Sequence, residues 1–266
     1  MKKLPLSIGI LSWKGYKSLE NSLLSYKING LNHLVSKKYI CLPEYNEKGV
    51  FLSKKFGYKP ILFEKNLGIL NGFKELAKKM PDGPLLLLEN DLPLIKNEQE
   101  TFEQLNQSIK FLYSNNIAQV RLRCRKNPGT PFHAIAKYNR YWDNTFLSGV
   151  RKFLRPYKAK RLIGTSVYVK DKPHLQHPNY ISHLENGFYS VSSQVLNWSN
   201  LAILVDKKFF LNVIIKQAEN TYSSKTVNGF KNIEIELNKP WWRKQSWRIV
   251  LAPGIFTHKR LSDRGY

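Results

Sequence analysis

Two acidic residues directly follow the most apolar short segment of the chain. Glu89 and Asp91 come after four consecutive leucines, residues 85–88, with Pro84 in front of them. An apolar run of this length predicts a strand buried on both faces. At the carboxyl end of such a strand, two carboxylates could hold a divalent cation and, through it, the phosphates of a nucleotide. Solvated acids at an ordinary strand end are the alternative, because short acid pairs are common.

The composition indicates a folded and strongly basic protein. Of the 266 residues, 42% are hydrophobic and 13% are aromatic, which excludes a disordered chain. The 43 Lys and Arg residues against 19 Asp and Glu residues give a formal net charge of +24. This excess favours an anionic partner, whether a nucleic acid, a phosphorylated substrate or a membrane surface, although a coding bias toward lysine explains it equally well.

Two further features bear on where the protein works. Cys41 and Cys124 have no second cysteine at metal-ligand spacing and cannot form a disulfide framework, so a reducing compartment fits best. No apolar run approaches the roughly 20 residues of a membrane span, and the N-terminal segment lacks a small-residue cleavage site. We therefore expect a cytoplasmic protein, with peripheral contact to an anionic membrane as a use for its charge.

The first 92 residues alternate strand-like and helix-like segments. Alternation of this kind predicts a parallel sheet with right-handed crossover connections. We expect a helix capped by Ser18, helices over residues 48–56 and 71–80, and strands over residues 4–12, 38–42, 60–63 and 85–88.

The rest of the chain is less regular. Residues 125–190 are rich in basic and aromatic residues and show few clear periods. No internal repeat or low-complexity linker separates the two parts, so we expect a single domain. The elements predicted here are helices over residues 101–114, 207–219 and 228–239, and strands over residues 119–124, 189–196 and 247–251.

Several segments of the first half, in this order, resemble the family-two glycosyltransferases, which have the GT-A fold. Residues 10–16 resemble the opening strand and the Thr-Tyr-Asn turn of that family, and residues 20–25 resemble the helix that follows. Residues 66–72 are similar to its Asn-x-Gly turn and helix start. The segment Glu89-Asn90-Asp91 occupies the place of its Asp-x-Asp metal motif, with glutamate in the first position.

The second half continues the resemblance. Gly229-Phe230 and residues 234–237 look like the late acidic helix of the family. Residues 249–258 resemble its closing strand, proline and histidine. The chain departs from the family after the second strand, where Pro43-Glu44 replaces the usual Asp-Asp pair.

The resemblance implies an α/β protein with the GT-A-type nucleotide-diphospho-sugar transferase fold, a mostly parallel central sheet flanked by helices. It implies one domain over residues 1–266, with a nucleotide-sugar-binding half (1–92) and an acceptor-binding and catalytic half (93–266). The implied activity is a metal-dependent, inverting glycosyltransferase. It would move a sugar from a nucleotide-diphosphate sugar, with UDP-sugar favoured, to a glycan, lipid-linked or protein acceptor. Mn²⁺ or Mg²⁺ is the implied cofactor.

The same resemblance implies roles for individual residues. Asp91 is the expected metal ligand, with His258 as a further ligand near the diphosphate, although a lone histidine is most often structural. Glu89 is expected to contact the ribose or a metal-bound water. The other expected donor-binding residues are Ser12, Trp13, Glu44, Asn66 and Asn90. Ser12 and Trp13 would lie near the base. Glu44 would accept a hydrogen bond from a uracil imide, or else it is a solvated loop acid.

An inverting transferase also needs a base that takes the proton of the acceptor hydroxyl. The resemblance places Glu234 on that position. Successive helix positions differ by about 100°, so Glu234 and Glu236 cannot face the same way and only one can reach the sugar. Glu236 and Glu185 are the alternatives, and a shifted alignment would place Asn232, which cannot act as a base, on the site.

Two other functions compete with this one. A basic nucleic-acid-binding protein would account for the charge and the interleaved Tyr and Arg residues, but not for a buried strand that ends in acids, so no nucleic-acid partner is expected. A sugar nucleotidyltransferase would need a Gly-rich phosphate loop after the first strand, and residues 13–15 match such a loop poorly.

Two clusters keep more than one interpretation. The basic segment of residues 151–161 is an acceptor-phosphate site, a membrane-binding surface or an ordinary solvated face, and Pro156 prevents it from forming one long helix. Trp241, Trp242 and Trp247 either pack in the core or line an acceptor cleft.

Overall fold

A nine-stranded mixed sheet forms the centre of the protein in the computed structural model, which describes residues 3–261. The strands of this part are β1 (Ser7–Leu11), β2 (Lys37–Pro43), β3 (Lys59–Phe63), β4 (Pro84–Glu89), β5 (Ile117–Arg123), β6 (Gly129–Thr130), β7 (Ile181–His183), β8 (Tyr189–Ser192), β9 (Ile203–Asp206), β10 (Arg248–Phe256) and β11 (His258–Lys259). The large sheet has the order β3-β2-β1-β4-β9-β5-β10-β8-β7, and β6 pairs with β11 in a small separate sheet.

Helices pack against both faces of the large sheet. A π-helical segment, Phe210–Ile215, joins two of them, and short 3₁₀ helices span Ile163–Tyr168 and Glu185–Gly187. The α-helices within residues 3–261 are α1 (Tyr16–Ile28), α2 (Leu31–Leu34), α3 (Glu47–Lys55), α4 (Gly68–Lys79), α5 (Glu98–Leu112), α6 (His133–Trp142), α7 (Phe146–Leu154), α8 (Pro156–Lys160), α9 (Pro173–Gln176), α10 (Lys207–Phe209), α11 (Lys216–Asn220), α12 (Ile233–Leu237) and α13 (Pro240–Lys244).

The chain changes direction across the sheet between β1 and β4. It adds β2 and β3 on one side of β1, and then places β4 on the other side, with all four strands parallel. The predicted mostly parallel core flanked by helices is confirmed. Four strands of the described residues were not predicted, namely β6, β7, β9 and β11, and of these β9 lies between β4 and β5 and is antiparallel to both. Its four residues are too few for a period to distinguish it.

The four-leucine strand is buried on both faces, as its composition predicts. Leu86 and Leu88 belong to the core on one side of the sheet, with residues from α1, α3 and α5. Leu85 and Leu87 belong to the core on the other side, with residues from α4 and the later helices. Complete burial of a leucine contributes roughly 2 kcal/mol, so β4 is firmly held and its acidic end is fixed in position.

The structure corrects two predicted helix starts. α1 begins after Gly15, which has a φ of 63°, and Ser18 therefore lies inside the first turn instead of capping it. The helix predicted over residues 228–239 is limited to α12, because Asn228 and Gly229 have positive φ values that a helix does not accept.

The irregular segment of residues 125–190 contains α6 to α9, which the sequence does not reveal. Each of these helices has ten residues or fewer, so few apolar positions repeat within it. Within residues 3–261, no helix combines the length and the apolar character needed to cross a bilayer.

The three late tryptophans pack together in the core. Trp242 is completely buried, donates its indole N–H to the Leu196 carbonyl at 2.8 Å, and packs edge-on against Trp198 at 5.6 Å between ring centroids. Trp241 and Trp247 lie against the same cluster, 5.3 Å from each other. The core interpretation of this cluster therefore holds.

Candidate active site

A cleft lies at the carboxyl ends of β1 and β4, where the strand order reverses. Leu11 and Glu89, the last residues of these strands, are register partners and both line the cleft. Open α/β sheets bind ligands at such a switch point. The cleft encloses about 400 Å³, within the usual range for a small-molecule site. Its other lining residues include Trp13, Asn66, Gly68, Asn90, Asn200, Phe230, Asn232, Glu234, His258 and Arg260.

Asp91 is buried beside the cleft, two residues beyond the end of β4. Its Oδ2 accepts hydrogen bonds from His258 Nε2 at 3.0 Å and from Arg260 Nε and Nη2 at 3.0 and 2.9 Å. Burial acts to raise the pKa of Asp91, but the hydrogen bond and electrostatic interaction with His258 and those with the Arg260 guanidinium outweigh it, so the pKa is lowered overall. The ionised carboxylate therefore holds the C-terminal segment against the sheet.

Glu89 is the acid that directly faces the cleft. Its pKa is raised to about 8, mainly by burial of the carboxyl and also by the negative charges of Asp91 and Glu234. Arg260 and Arg123 oppose this shift without cancelling it. Although part of the side chain touches the cleft, the carboxyl is surrounded by protein, so Glu89 is largely protonated near neutral pH.

Replacing Glu89 by glutamine is expected to change how stability depends on pH. A carboxyl with a raised pKa stabilises the folded state fully only below its ordinary pKa, and this contribution is lost as the pH rises through about 8. Because glutamine does not titrate, the variant should gain about 4 kcal/mol in free energy of unfolding relative to wild type between about pH 5 and about pH 9. Urea unfolding with a chelator present measures this difference. A difference that stays constant with pH would contradict the raised pKa.

Glu234 reaches the cleft from the first turn of α12. Asn232 caps this helix, with its Oδ1 accepting from the Glu234 N–H at 2.8 Å. The Glu234 Oε1 accepts from the Asn200 N–H at 2.9 Å and from the Ser199 hydroxyl at 3.1 Å. Within residues 3–261, no group donates to its Oε2. One carboxylate oxygen is thus held in place, and the other is available to a ligand.

The two alternative bases lie elsewhere. Glu236 is buried, and its Oε2 pairs with Lys239 Nζ at 3.1 Å. Glu185 is exposed in the 3₁₀ helix after β7, where Gln107 donates to its carboxylate at 2.6 Å. In the described part of the chain, neither of them lines the cleft. Of the three acids, the structure therefore brings only Glu234 next to Glu89.

Asn90 ties the loop after β1 to the acidic end of β4. Its Nδ2 donates to the Lys14 carbonyl at 3.2 Å, to the Ser12 hydroxyl at 3.3 Å and to the Gly15 carbonyl at 3.4 Å. Ser12 is buried, and its own hydroxyl donates to the Lys14 carbonyl. Ser12 and Asn90 therefore position the loop that carries Trp13 toward the cleft.

Trp13 and Glu44 form one edge of the site. The Trp13 indole N–H donates to Glu44 Oε2 at 2.9 Å, and Lys14 Nζ lies 3.2 Å from Glu44 Oε1. The hydrogen bonds from Trp13 and Lys14 lower the pKa of Glu44, so this exposed carboxylate is ionised. Glu44 orients the indole ring that lines the cleft, and it does not line the cleft itself.

Asn66 and Gly68 form another wall of the cleft at the start of α4. The Asn66 Oδ1 accepts from the Gly68 N–H at 2.9 Å. Gly68 has a φ of 66°, and a Cβ at this position would collide with the side chain of Phe230, so the site requires glycine. Phe230, in the loop before α12, packs here and joins the two halves of the chain at the cleft.

Arg260 and Asn200 are site residues that the sequence does not single out. Arg260 follows His258 by two positions, and residues two apart in an extended segment face the same side. This spacing is the signal that could identify it. Asn200 has no such signal, because its role depends only on the contact of its backbone N–H with Glu234, which is 34 residues away.

The oxygen donors near β4 fit a divalent cation that is also bound by phosphate. The Asp91 Oδ1 is buried and has no hydrogen-bond partner in the part of the chain described, and Glu89 lies close by. Mn²⁺ and Mg²⁺ commonly use one or two carboxylates together with substrate phosphates and water. Residues 3–261 contain no cluster of three His, Cys, Asp or Glu ligands, so phosphate would have to complete the coordination. In this arrangement His258 orients Asp91.

Comparison with solved structures identifies the fold. No protein-family profile and no curated protein matches the sequence. Residues 1–349 of TarS from S. aureus match with a TM-score of 0.52 and 10% identity, over 96% of this chain and 60% of that one. The mannosyltransferase PcManGT from Pyrobaculum calidifontis, in complex with GDP-Man and Mn²⁺, matches with a TM-score of 0.51 and 8% identity, over 99% of this chain and 59% of that one.

A cytidylyltransferase from Leptospira borgpetersenii also matches, with a TM-score of 0.35 and 15% identity over 58% of this chain and 70% of that one, which is too weak to support an argument. The chain spans about 60% of the length of the TarS fragment and of PcManGT. At these identities the likeness establishes the fold. The chain therefore has the GT-A-type fold of glycosyltransferases that its sequence predicts.

Proposed function

We propose that this protein is an inverting glycosyltransferase that moves a sugar from a nucleoside-diphosphate sugar to an acceptor hydroxyl, with Glu234 as the base. One observation carries the proposal: Glu234 and Glu89 line one cleft, with Asp91 buried beside it, at the switch point of a sheet with a glycosyltransferase fold. Inverting transfer needs a carboxylate for the acceptor and a site for the donor diphosphate side by side.

Glu234 supplies the acceptor side of the reaction. Its Oε2 takes the proton of the acceptor hydroxyl while that oxygen forms a bond to the anomeric carbon. The bond between this carbon and the diphosphate breaks, and its electron pair leaves with the nucleotide. A positioned base of this kind contributes a factor of about 10² to 10⁴ in rate. The bonds from Asn200 and Ser199 to Oε1 keep the carboxylate oriented before the acceptor arrives.

The donor diphosphate is proposed to lie beside Asp91, Glu89 and Arg260. Asp91, through Oδ1, would hold Mn²⁺ or Mg²⁺, with Glu89 on a metal-bound water; when bound, the cation neutralises the diphosphate and stabilises the leaving group. The Mn²⁺ in the PcManGT complex supports this choice. Arg260, with 32% of its side chain exposed, lines the cleft and can donate to phosphate oxygens.

The nucleoside is proposed to bind between Trp13 and Asn66, with UDP-sugar as the favoured donor. The indole of Trp13 lines the cleft, and aromatic rings of this kind stack on nucleoside bases. The ionised Glu44 lies behind Trp13 at the edge of the cleft, and its remaining lone pairs can accept from a uracil imide that extends past the indole to this edge. Because PcManGT binds GDP-Man, GDP-sugars are the main competitors. A glycan, lipid-linked or protein acceptor follows from the family resemblance, and a cytoplasmic location is proposed from the cysteine content, which fits a reducing compartment.

A nucleoside-diphosphate sugar is expected to stabilise the protein when Mn²⁺ is present. A ligand at 100 times its Kd should add about 2.7 kcal/mol to the free energy of unfolding. A thermal-shift screen of UDP-, GDP-, TDP- and CMP-sugars, each with and without Mn²⁺, measures this effect. If no sugar nucleotide stabilises the protein while generic DNA or RNA does so at low salt, the alternative of nucleic-acid binding would replace the proposal.

A further inference from the structure

Helix α7 turns its apolar side away from the protein. Ser148, the buried residue of this helix, lies on the inward side. Phe146 and Phe153 are 86% and 85% exposed, whereas an ordinary surface helix buries its apolar stripe. At about 100° per residue, one arc of about 120° on the outward side contains all the large apolar residues of the helix: Phe146, Leu147, Val150, Phe153 and Leu154.

The exposed apolar surface continues into α8 and is bordered by positive charge. Tyr157, in the first turn of α8, is 84% exposed. Residues 151–161 contain six basic residues, and no acidic residue occurs between Asp143 and Asp171. None of the six joins an ion pair with a residue of the described range 3–261. We name the five apolar residues of α7 together with Tyr157 the α7–α8 patch.

The patch is supported by specific contacts with its neighbours. Thr145 caps α7, with its Oγ1 accepting from the Ser148 N–H at 3.2 Å. The Trp142 indole N–H donates to the Ala159 carbonyl at 3.1 Å and so links α6 to α8. Lys152 Nζ lies over the Trp142 ring at 5.1 Å. The outward orientation of the apolar residues is therefore part of the folded structure.

We propose that the α7–α8 patch binds an anionic lipid bilayer, with α7 lying in the plane of the interface. Phenylalanine and leucine on one side of a helix, with lysine and arginine beside them, are typical of interfacial helices. A contiguous apolar surface that is left exposed marks a binding site. The net charge of +24 adds attraction to anionic lipid. This inference does not depend on the proposed glycosyltransferase activity.

The unpaired charge selects the bilayer over a second copy of this chain. In a symmetric dimer the same surface faces itself. The basic residues of 151–161 would then meet one another without any acid in the segment to pair with, and like charges across an interface oppose association. Anionic headgroups neutralise these residues while the acyl boundary covers the apolar ones.

Vesicle sedimentation tests the proposal with the full chain. We expect binding to phosphatidylcholine vesicles that contain about 30% phosphatidylglycerol, weak binding without the anionic lipid, and weaker binding at high salt. The double variant Phe146→Ser/Phe153→Ser should reduce the partition coefficient about tenfold or more. The triple variant Arg151→Gln/Arg155→Gln/Lys158→Gln should weaken the preference for anionic lipid, because it halves the basic residues of the segment. All five side chains are exposed, so the unfolding temperatures should match wild type.

Matched controls change exposed residues on other helices. Phe51→Ser on α3 controls for the loss of an apolar side chain, and Lys27→Gln/Lys54→Gln/Lys110→Gln controls for the loss of charge. Reduced binding in the patch variants alone supports the proposal. Absent binding, or equal binding by patch and control variants, overturns it. Light scattering tests for a dimer. If wild type dimerises without binding vesicles, and the Phe146→Ser/Phe153→Ser variant abolishes the dimer, the patch binds a second copy of the chain and the membrane proposal is overturned.

Discussion

Replacing Glu234 by glutamine is expected to reduce turnover by about a hundredfold or more, with donor affinity nearly unchanged. Glutamine keeps the size of the side chain and an oxygen for the Asn200 N–H, which is 2.9 Å from Glu234 Oε1. It cannot take the proton of the acceptor hydroxyl. Steady-state kinetics with a calorimetric titration of the donor separates these two effects, because in the proposed scheme the base acts on the acceptor and the donor binds at the end of β4.

Glu185→Gln is the matched control for this experiment. Glu185 is an exposed glutamate outside the cleft, so its substitution should leave turnover unchanged. If turnover of the Glu234→Gln variant stays within a few-fold of wild type, Glu234 is not the base. A loss in Glu185→Gln alone would instead support the alternative that the sequence leaves open. A product with retained anomeric configuration would refute the inverting scheme as a whole.

Asp91→Asn is expected to abolish cation-dependent turnover and also to lower stability. A bound cation supplies several kcal/mol of transition-state stabilisation, equivalent to about a thousandfold in rate. Asparagine also leaves Arg260 and His258 without the charge they pair with, which should reduce the free energy of unfolding by about 2 kcal/mol near neutral pH. Because the pKa of Asp91 is lowered in the folded state, this stability is present above its ordinary pKa of about 3.9 and is lost as the pH falls further.

Kinetics with Mn²⁺, calorimetric titration of Mn²⁺ in the presence of nucleoside diphosphate, and urea unfolding at neutral and acid pH measure these effects. Asp82→Asn is the matched control, since Asp82 pairs with Lys207 at 3.1 Å but is 68% exposed, and exposed pairs contribute little. Near-normal turnover of Asp91→Asn with Mn²⁺ would exclude Asp91 as a metal ligand. Unchanged stability would show that its bonds to Arg260 and His258 contribute nothing in solution.

The buried β4 strand and its acidic end could be predicted because their signal is local. Leu85 to Leu88 are apolar at every position, and that pattern alone indicates burial on both faces. The alternation of strands and helices in the first 92 residues likewise indicates the parallel core, because each strand or helix can be recognised from the pattern of its own few residues. Glu89 therefore comes at the end of a central strand in both the prediction and the structure.

The partners of Asp91 could not be predicted in the same way. The sequence resemblance assigns Asp91 and His258 as separate metal ligands. In the structure His258, 167 residues away, donates to Asp91, and Arg260, 169 residues away, donates to the same oxygen. No local pattern encodes such a contact. It forms where the C-terminal segment returns to the residues after β4, with the Lys259 N–H donating to the Asp91 carbonyl at 2.9 Å and the Thr257 N–H to the Pro93 carbonyl at 3.1 Å.

The identification of the base also depends partly on the sequence and partly on the tertiary structure. From the sequence, the helical period shows that Glu234 and Glu236 cannot both lie on the same face of the helix. Only the tertiary structure decides between them, because it buries Glu236 against Lys239 and places Glu234 in the cleft.

By itself, the sequence determined the buried strand, the parallel core, the positive charge and the positions of the acids along the chain. These properties depend on composition and on neighbours within one or two turns. The tertiary structure alone decided which acids share a cleft, that the pKa of Glu89 is raised to about 8, that β9 is antiparallel, and that α7 faces its apolar side outward. The physical reason is that pairing energies and pKa values depend on burial and on distances between residues far apart in the sequence, and only the folded chain sets these.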